Sequence, residues 1–179
     1  MNSLNADLHC HSRYSDGTLS PSDLAQRAQA HGVALWALTD HDEISGLTEA
    51  AAAAAALGLR FVNGVEISVT FARETVHIVG LGFDAGNAAL RQGLARTRSG
   101  RLARASEMAA GLAKVGLPGA LEGALRYVSN PDLVSRTHFA RWLVESGVCT
   151  DTGSVFRRDR KSTRLNSSHE RLSRMPSSA

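Results

Sequence analysis

His9 and His11 stand one residue apart, and Asp16 follows in the turn Ser15-Asp16-Gly17. On a short strand, side chains two apart share a face, so the two imidazoles are expected to point the same way. Further along, Asp40 with His41, Glu66, and His77 each lie at or near the end of a strand-like run. Taken singly, each reads as a solvated strand-end residue; as an ordered set they read as ligands. Neutral imidazoles and carboxylates suit Mn, Fe or Zn, alone or as a mixed cluster. Several such ions held close together polarise a phosphoryl group and lower the pKa of an attacking water.

The elements that must carry these residues can be read in order. Residues 4–9 form an expected short buried strand. Ser20-Pro21-Ser22-Asp23 is a helix start, with Ser at the N-cap, Pro at the first helical position and an acid three residues after the cap. Gly32 ends that helix. Residues 33–38 are a continuous apolar run, as expected of a parallel strand covered on both faces, and they deliver Asp40 and His41. A second helix is expected from about Gly46 to Leu57, built on the alanine run Ala50 to Ala56. Asp42 and Glu43 read as the lead-in to it. Residues 61–66 and 75–82 are the third and fourth strands, with a hairpin through Phe71 to Glu74. This order predicts a parallel α/β sheet or barrel, in which polar residues at strand ends are the place to look for chemistry. Cys10 should point away from its flanking histidines into the core.

From Asn87 onward helices are expected at about residues 91–115, 119–128 and 135–147, with no strand between 87 and 150. Three units result: 1–86, the strand-bearing part with the candidate ligands; 87–156, a helical insertion; and 157–179, a disordered and non-native tail, because its composition cannot bury enough surface to order it. Charge divides along the same lines. The first 86 residues carry 4 Lys/Arg against 10 Asp/Glu, while residues 87–142 carry 9 against 3. Acidic groups can hold divalent cations, and arginines can hold the phosphates those cations activate.

Hydrophobic residues make up 43% of the 179-residue chain, an ordinary share for a globular protein, and no apolar run reaches bilayer length. The two cysteines, Cys10 and Cys149, argue against a disulfide framework. The expectation is a cytoplasmic protein with no membrane or obligate protein partner. The overall charge of +3 depends on the last segment, so it carries no implication of nucleic-acid binding.

The stretches DLHCHSRYSDG, ALTDHD, NGVEIS and VHIVGLG together resemble the polymerase-and-histidinol-phosphatase (PHP) superfamily. GRLARA and SRTHFARWLVESG resemble the branch acting as 3′,5′-nucleoside bisphosphate phosphatase, or as the related exoribonuclease that trims short RNA 5′ ends. The resemblance implies an α/β fold: the N-terminal part of a distorted (β/α)7 barrel with an inserted helical subdomain. It implies up to three divalent metals in the complete enzyme, Mn²⁺ first, with Fe, Zn or Mg as alternatives. Carried onto this chain, His9 and His11 would hold one metal, with Glu66 bridging to a second that His77 also binds. Asp16 and His41 would hold the third, and Asp40 would orient a ligand from behind. Arg101, Arg104, Arg136 and Thr137 are expected to contact substrate phosphate, and His138 is a further candidate. The substrate would be a nucleotide or a short RNA.

Members of this superfamily continue with further strands, another histidine ligand and a late Gly-Ser-Asp-x-His motif, which this sequence lacks. The expectation is therefore an N-terminal fragment, inactive by itself, with six of the ligands. The residues after Arg158 resemble translated adapter or vector sequence. Two alternatives stand beside the phosphoesterase: a non-catalytic metal-binding fragment, and an amidohydrolase-like metallohydrolase. The TDHD segment and the arginines speak against the second.

Overall fold

The computed structural model describes residues 4–72, 74–128 and 130–155; the segment expected to be a disordered tail lies outside them. Four strands form one sheet in the order β1 (Ala6–Asp7), β2 (Leu35–Leu38), β3 (Arg60–Phe71), β4 (Glu74–Leu81). β1, β2 and β3 are parallel, and the connections between them are the helices α1 (Pro21–Ala30) and α2 (Leu47–Ala56). β4 runs antiparallel to β3, because a connection this short can only return the chain beside itself.

α1 starts as its sequence dictates. The Ser20 hydroxyl accepts from the Asp23 N–H, and the Asp23 carboxylate accepts from the Ser20 N–H, with Pro21 in the first turn. In α2 the alanine run is used on one face only. Ala50 and Ala54, one turn apart, are fully buried, while Ala51, Ala52, Ala55 and Ala56 are exposed. Those two alanines, with Ala25 and Ala28 of α1, pack with Trp36 and Leu38 of β2 in one core. Small side chains there let both helices lie close on the strand.

β1 differs from expectation. It is two residues long, with Ala6 exposed and Asp7 half-buried, so His9, Cys10 and His11 lie beyond its end. Strand alternation therefore cannot be what aims the histidines. Cys10 does it instead. Its carbonyl accepts from both the N–H and the hydroxyl of Thr39, at 2.9 and 3.0 Å, and its thiol donates to the Ala37 carbonyl. The Trp36 indole N–H donates to the same sulfur. Pinned inward at Cys10, the chain presents both neighbours outward.

The helices α3 (Ala88–Ser99), α4 (Arg101–Lys114), α5 (Ala120–Leu125) and α6 (Arg136–Glu145) follow, and among the described residues no strand lies between 87 and 150. They have an apolar cluster of their own, formed by Ala105, Ala120, Ala124, Val134 and Phe139 with Trp142 against it. Gly123 sits where α5 meets α6: a Cβ there would stand 2.2 Å from the Trp142 ring. At the far edge of the sheet, β4 leaves Val76, Ile78, Val79 and Leu81 exposed, and Phe71 beside the hairpin is 74% exposed. The sheet is open at this edge, where among the described residues β4 pairs only with β3, antiparallel to it.

Candidate metal centre

His9 and His11 converge beyond the end of β1, with their Nε2 atoms 3.2 Å apart. Glu66 comes to them from β3, its Oε2 lying 2.8 Å from His9 Nε2 and 3.0 Å from His11 Nε2. β4 brings His77, whose Nδ1 is 3.3 Å from the other oxygen of Glu66. His41, one residue past the Asp40 that follows β2, forms an isolated parallel bridge with Glu66 and stacks on His11 at 4.5 Å. Its Nε2 is 3.6 Å from Asp16 Oδ2, and its Nδ1 is 3.7 Å from Glu66 Oε2. Glu66 is thus the hub.

These contacts make three overlapping groups of donors: His9, His11 and Glu66; His11, Asp16 and His41; His41, Glu66 and His77. Two ligands bonded to one ion at about 2.0–2.1 Å stand about 2.8–3.4 Å apart, from octahedral to tetrahedral geometry. The spacings here, 2.8 to 3.9 Å, bracket that range. His11 Nδ1 and His41 Nδ1 are buried without a hydrogen-bond partner, as a lone pair kept for a cation would be. The donor set fits divalent ions.

The electrostatics agree. Burial, joined by His11 and Arg101, lowers the His41 imidazole to about 4 against the pull of Asp16 and Glu66, so it is neutral at pH 7 and able to ligate. Burial works to raise the Asp16 carboxyl, but His41, a hydrogen bond from Thr137 and His11 outweigh it and hold the group below the usual carboxylate range. The Cys10 thiol is pushed up to about 12, first by burial. At neutral pH it is a protonated thiol, held by its bonds to Ala37 and Trp36.

Asp40 is 2% exposed. Its carboxylate accepts from the Ser12 N–H at 2.7 Å, the Ser12 hydroxyl at 2.6 Å and the Ser15 hydroxyl at 2.6 Å. Burial raises its pKa, while these bonds oppose the rise. Rather than orienting an imidazole directly, Asp40 fixes the turn between His11 and Asp16. Gly17 closes that turn so tightly that a Cβ would stand 2.1 Å from the His11 carbonyl oxygen.

A cavity of about 170 Å³ opens beside the donors. Asp16, His41 and His77 line it together with Arg101, Arg104, Arg136 and Thr137. Two of the sequence expectations change here. Arg101 is 8% exposed and directs its Nε and Nη2 to the Asp42 carboxylate, with Nη2 also 3.0 Å from the Ser68 hydroxyl, so its first partner is internal. His138 is fully buried, and its Nδ1 accepts from the Ser135 N–H at 3.0 Å. It caps α6 from inside, and its Nε2 is buried without a hydrogen-bond partner.

Sequence reasoning missed Asp42, Ser12, Ser15 and Arg141. Asp42 is no helix lead-in: it is fully buried with φ +53°, and α2 starts at Leu47. Arg141 donates to the Asp16 carbonyl across 125 residues of sequence. It lies four residues after Thr137, on the same helix face, and that spacing was the available signal.

Residues 7–128 match the family model for the PHP domain. The chain belongs to the PHP family. Among curated relatives, a 3′,5′-nucleoside bisphosphate phosphatase of Chromobacterium violaceum is 55% identical over 154 residues, covering 86% of this chain and 54% of that protein. A 5′-3′ exoribonuclease of Haemophilus influenzae is 43% identical over 152 residues, covering 85% of this chain and 55% of the relative. The chain spans about half the length of the curated relatives it matches. A Bifidobacterium adolescentis crystal structure, assigned as a metal-dependent phosphoesterase, superposes with a TM-score of 0.79 at 30% identity, over 87% of this chain and 55% of the other. The fold is α/β and corresponds to the N-terminal part of a PHP barrel. No helix among the described residues is long and apolar enough to cross a membrane.

Proposed function

We propose that this chain carries the principal metal-binding wall of a phosphoesterase that removes phosphate from a nucleoside 3′,5′-bisphosphate or hydrolyses short RNA from its 5′ end. The observation that carries the reading is the sharing of Glu66, His11 and His41 among three donor groups beside an arginine-lined cavity. His9, His11, Asp16, His41, Glu66 and His77 would hold divalent ions, up to three in the complete enzyme. Mn²⁺ is the first expectation, with Fe, Zn or Mg as alternatives. When bound, such ions neutralise phosphoryl oxygens and make water a nucleophile near neutral pH.

The chain's own residues then have separate tasks. The imidazoles and the two carboxylates hold the cations. Arg104 and Arg136 line the same cavity, where a guanidinium can take a phosphate by two parallel hydrogen bonds. Arg136 is the first residue of α6, so backbone N–H groups add to its pull on an anion. Thr137 serves Asp16 first and substrate second. Residues 87–156 act as the helical insertion that supplies these arginines, residues 1–86 as the barrel part, and the setting is cytoplasmic. Inactivity of the present chain on its own is part of the proposal.

The test is phosphate release from a nucleoside 3′,5′-bisphosphate with Mn²⁺, for this chain and for the chain joined at Val155 to the remaining half of the Chromobacterium relative. Release by the joined protein alone supports the reading. A joined protein that is folded and metal-loaded yet releases nothing contradicts the phosphoesterase assignment, and release by the present chain contradicts its inactivity.

A further inference from the structure

Asp42 has every polar atom occupied, by β3, α3 and α4 between them. Its N–H donates to the Glu66 carbonyl at 2.9 Å, and its carbonyl accepts from Arg98 Nη1 at 2.6 Å. One carboxylate oxygen accepts from the Ser68 N–H at 2.7 Å, and the other takes Nε and Nη2 of Arg101. The Ser68 hydroxyl in turn lies 3.4 Å from His77 Nδ1. A fully buried carboxylate at positive φ is costly unless its surroundings compensate for both the charge and the backbone. Here they do: Asp tolerates the left-handed region better than most residues, and Arg101 neutralises the charge.

We propose that Asp42 is a positioning residue. It locks the segment that follows β2 to the middle of β3, and with them His41, Glu66 and His77, in ligating register, and it seats α3 and α4 on the metal centre through Arg98 and Arg101. This rests on the metal-centre reading of the donor cluster. The insertion makes polar contacts to the ligand-bearing segments, at Asp42 beside His41 from α3 and α4 and at the backbone carbonyl of the candidate ligand Asp16 from α6. Its placement, and hence that of Arg104 and Arg136, is thereby tied to the geometry of the ligands themselves.

The experiment measures the Mn²⁺ dissociation constant of the full 179-residue chain and hydrogen exchange of the α4 amides. It compares the unaltered chain with Asp42→Asn, Arg101→Met, the double variant and Leu59→Ala, a core substitution away from the site. Removing a group behind the ligands weakens affinity by about tenfold or more. The expected result is such a rise for Asp42→Asn and for Arg101→Met, less than their product for the double variant, and deprotected α4 amides in all three. Leu59→Ala loses stability without moving the dissociation constant. An Asp42→Asn chain that binds within twofold of the unaltered one, or keeps α4 protected, overturns the proposal. If Asp42→Asn does not fold, Arg101→Lys answers the same question, since it keeps the charge and loses the fork; unchanged affinity and protection there overturn it too. An unaltered chain that binds no Mn²⁺ overturns the metal reading itself, and α4 protection still decides the seating role.

Discussion

Asp40 and Ser12 meet twice, with the carboxylate accepting from the Ser12 N–H at 2.7 Å and from its hydroxyl at 2.6 Å. The contact spans 28 residues of sequence and lies behind the metal centre. Through it the end of β2 governs the turn that sets Asp16 opposite His11 and His41. Replacing Asp40 by Ala leaves the Ser12 N–H and two hydroxyls without their acceptor, and each buried unpaired donor costs about 1–3 kcal/mol. Asp40→Ala is therefore expected to lose about 3 kcal/mol in urea unfolding, and Asp40→Asn about half of that. Equal losses for the two would argue against the turn-holding role.

Gly17 provides an independent check on the same turn. The Cβ of an alanine would sit 2.1 Å from the His11 carbonyl oxygen, and backbone cannot move aside as a flexible side chain can. Gly17→Ala should cost about 1–3 kcal/mol and weaken divalent-ion binding together with stability. Gly58→Ala, at a helix end where φ is +67° and nothing lies within 4 Å of the added carbon, should lose stability alone.

Acid should loosen the metal-free protein through His138. Burial lowers this imidazole to about 4, with Arg141 acting in the same sense and Asp16 against it. Its Nδ1 accepts from the Ser135 N–H, and protonation would turn that acceptor into a donor. Between about pH 6.5, where the unfolded group titrates, and about pH 4 the unfolded chain binds the extra proton first, so stability falls as pH is lowered across this window. His138→Gln, which keeps a capping side chain without a titrating ring, should flatten the fall in thermal unfolding curves taken across that range. An unaltered pH dependence would remove His138 as its source.

Cys10 should be silent toward alkylation. With the thiol at about 12 and its sulfur bonded to Trp36 and Ala37, iodoacetamide at pH 8 is expected to leave Cys10 unmodified in the native chain and to modify it in urea. Mass spectrometry of the Cys10 peptide reads this directly. Native-state labelling would contradict the pinning of the histidine pair through Cys10.

Much of this architecture is written locally. The capping box of α1, the apolar run of β2 and the hairpin before β4 each depend on residues within a few positions of one another, and each forms where the sequence places it. The candidate ligands were also readable, because chemistry limits which residue types hold a cation, although Glu66 and His77 lie inside β3 and β4 rather than at the strand ends the sequence suggested. The supporting residues were not. An acid before a helix reads as a favourable charge, and nothing near Asp42 announces that Arg101, 59 residues on, will bury it. His138 was hidden for a similar reason, since a histidine in place of the usual Glu or Gln does not resemble a capping residue. His9 and His11 were read correctly as convergent but for the wrong reason, because alternation on β1 ends before they begin.

The central claim is that Glu66 is the hub of a divalent-ion centre, and the most direct measurement is the Mn²⁺ retained per chain after equilibrium dialysis, for the unaltered protein and for Glu66→Gln. The substitution keeps the shape and removes the charge that faces His9, His11 and His77. The expected result is tight retention by the unaltered chain and a loss of affinity of at least about tenfold in Glu66→Gln. Equal retention by the two, with both folded, would contradict the account.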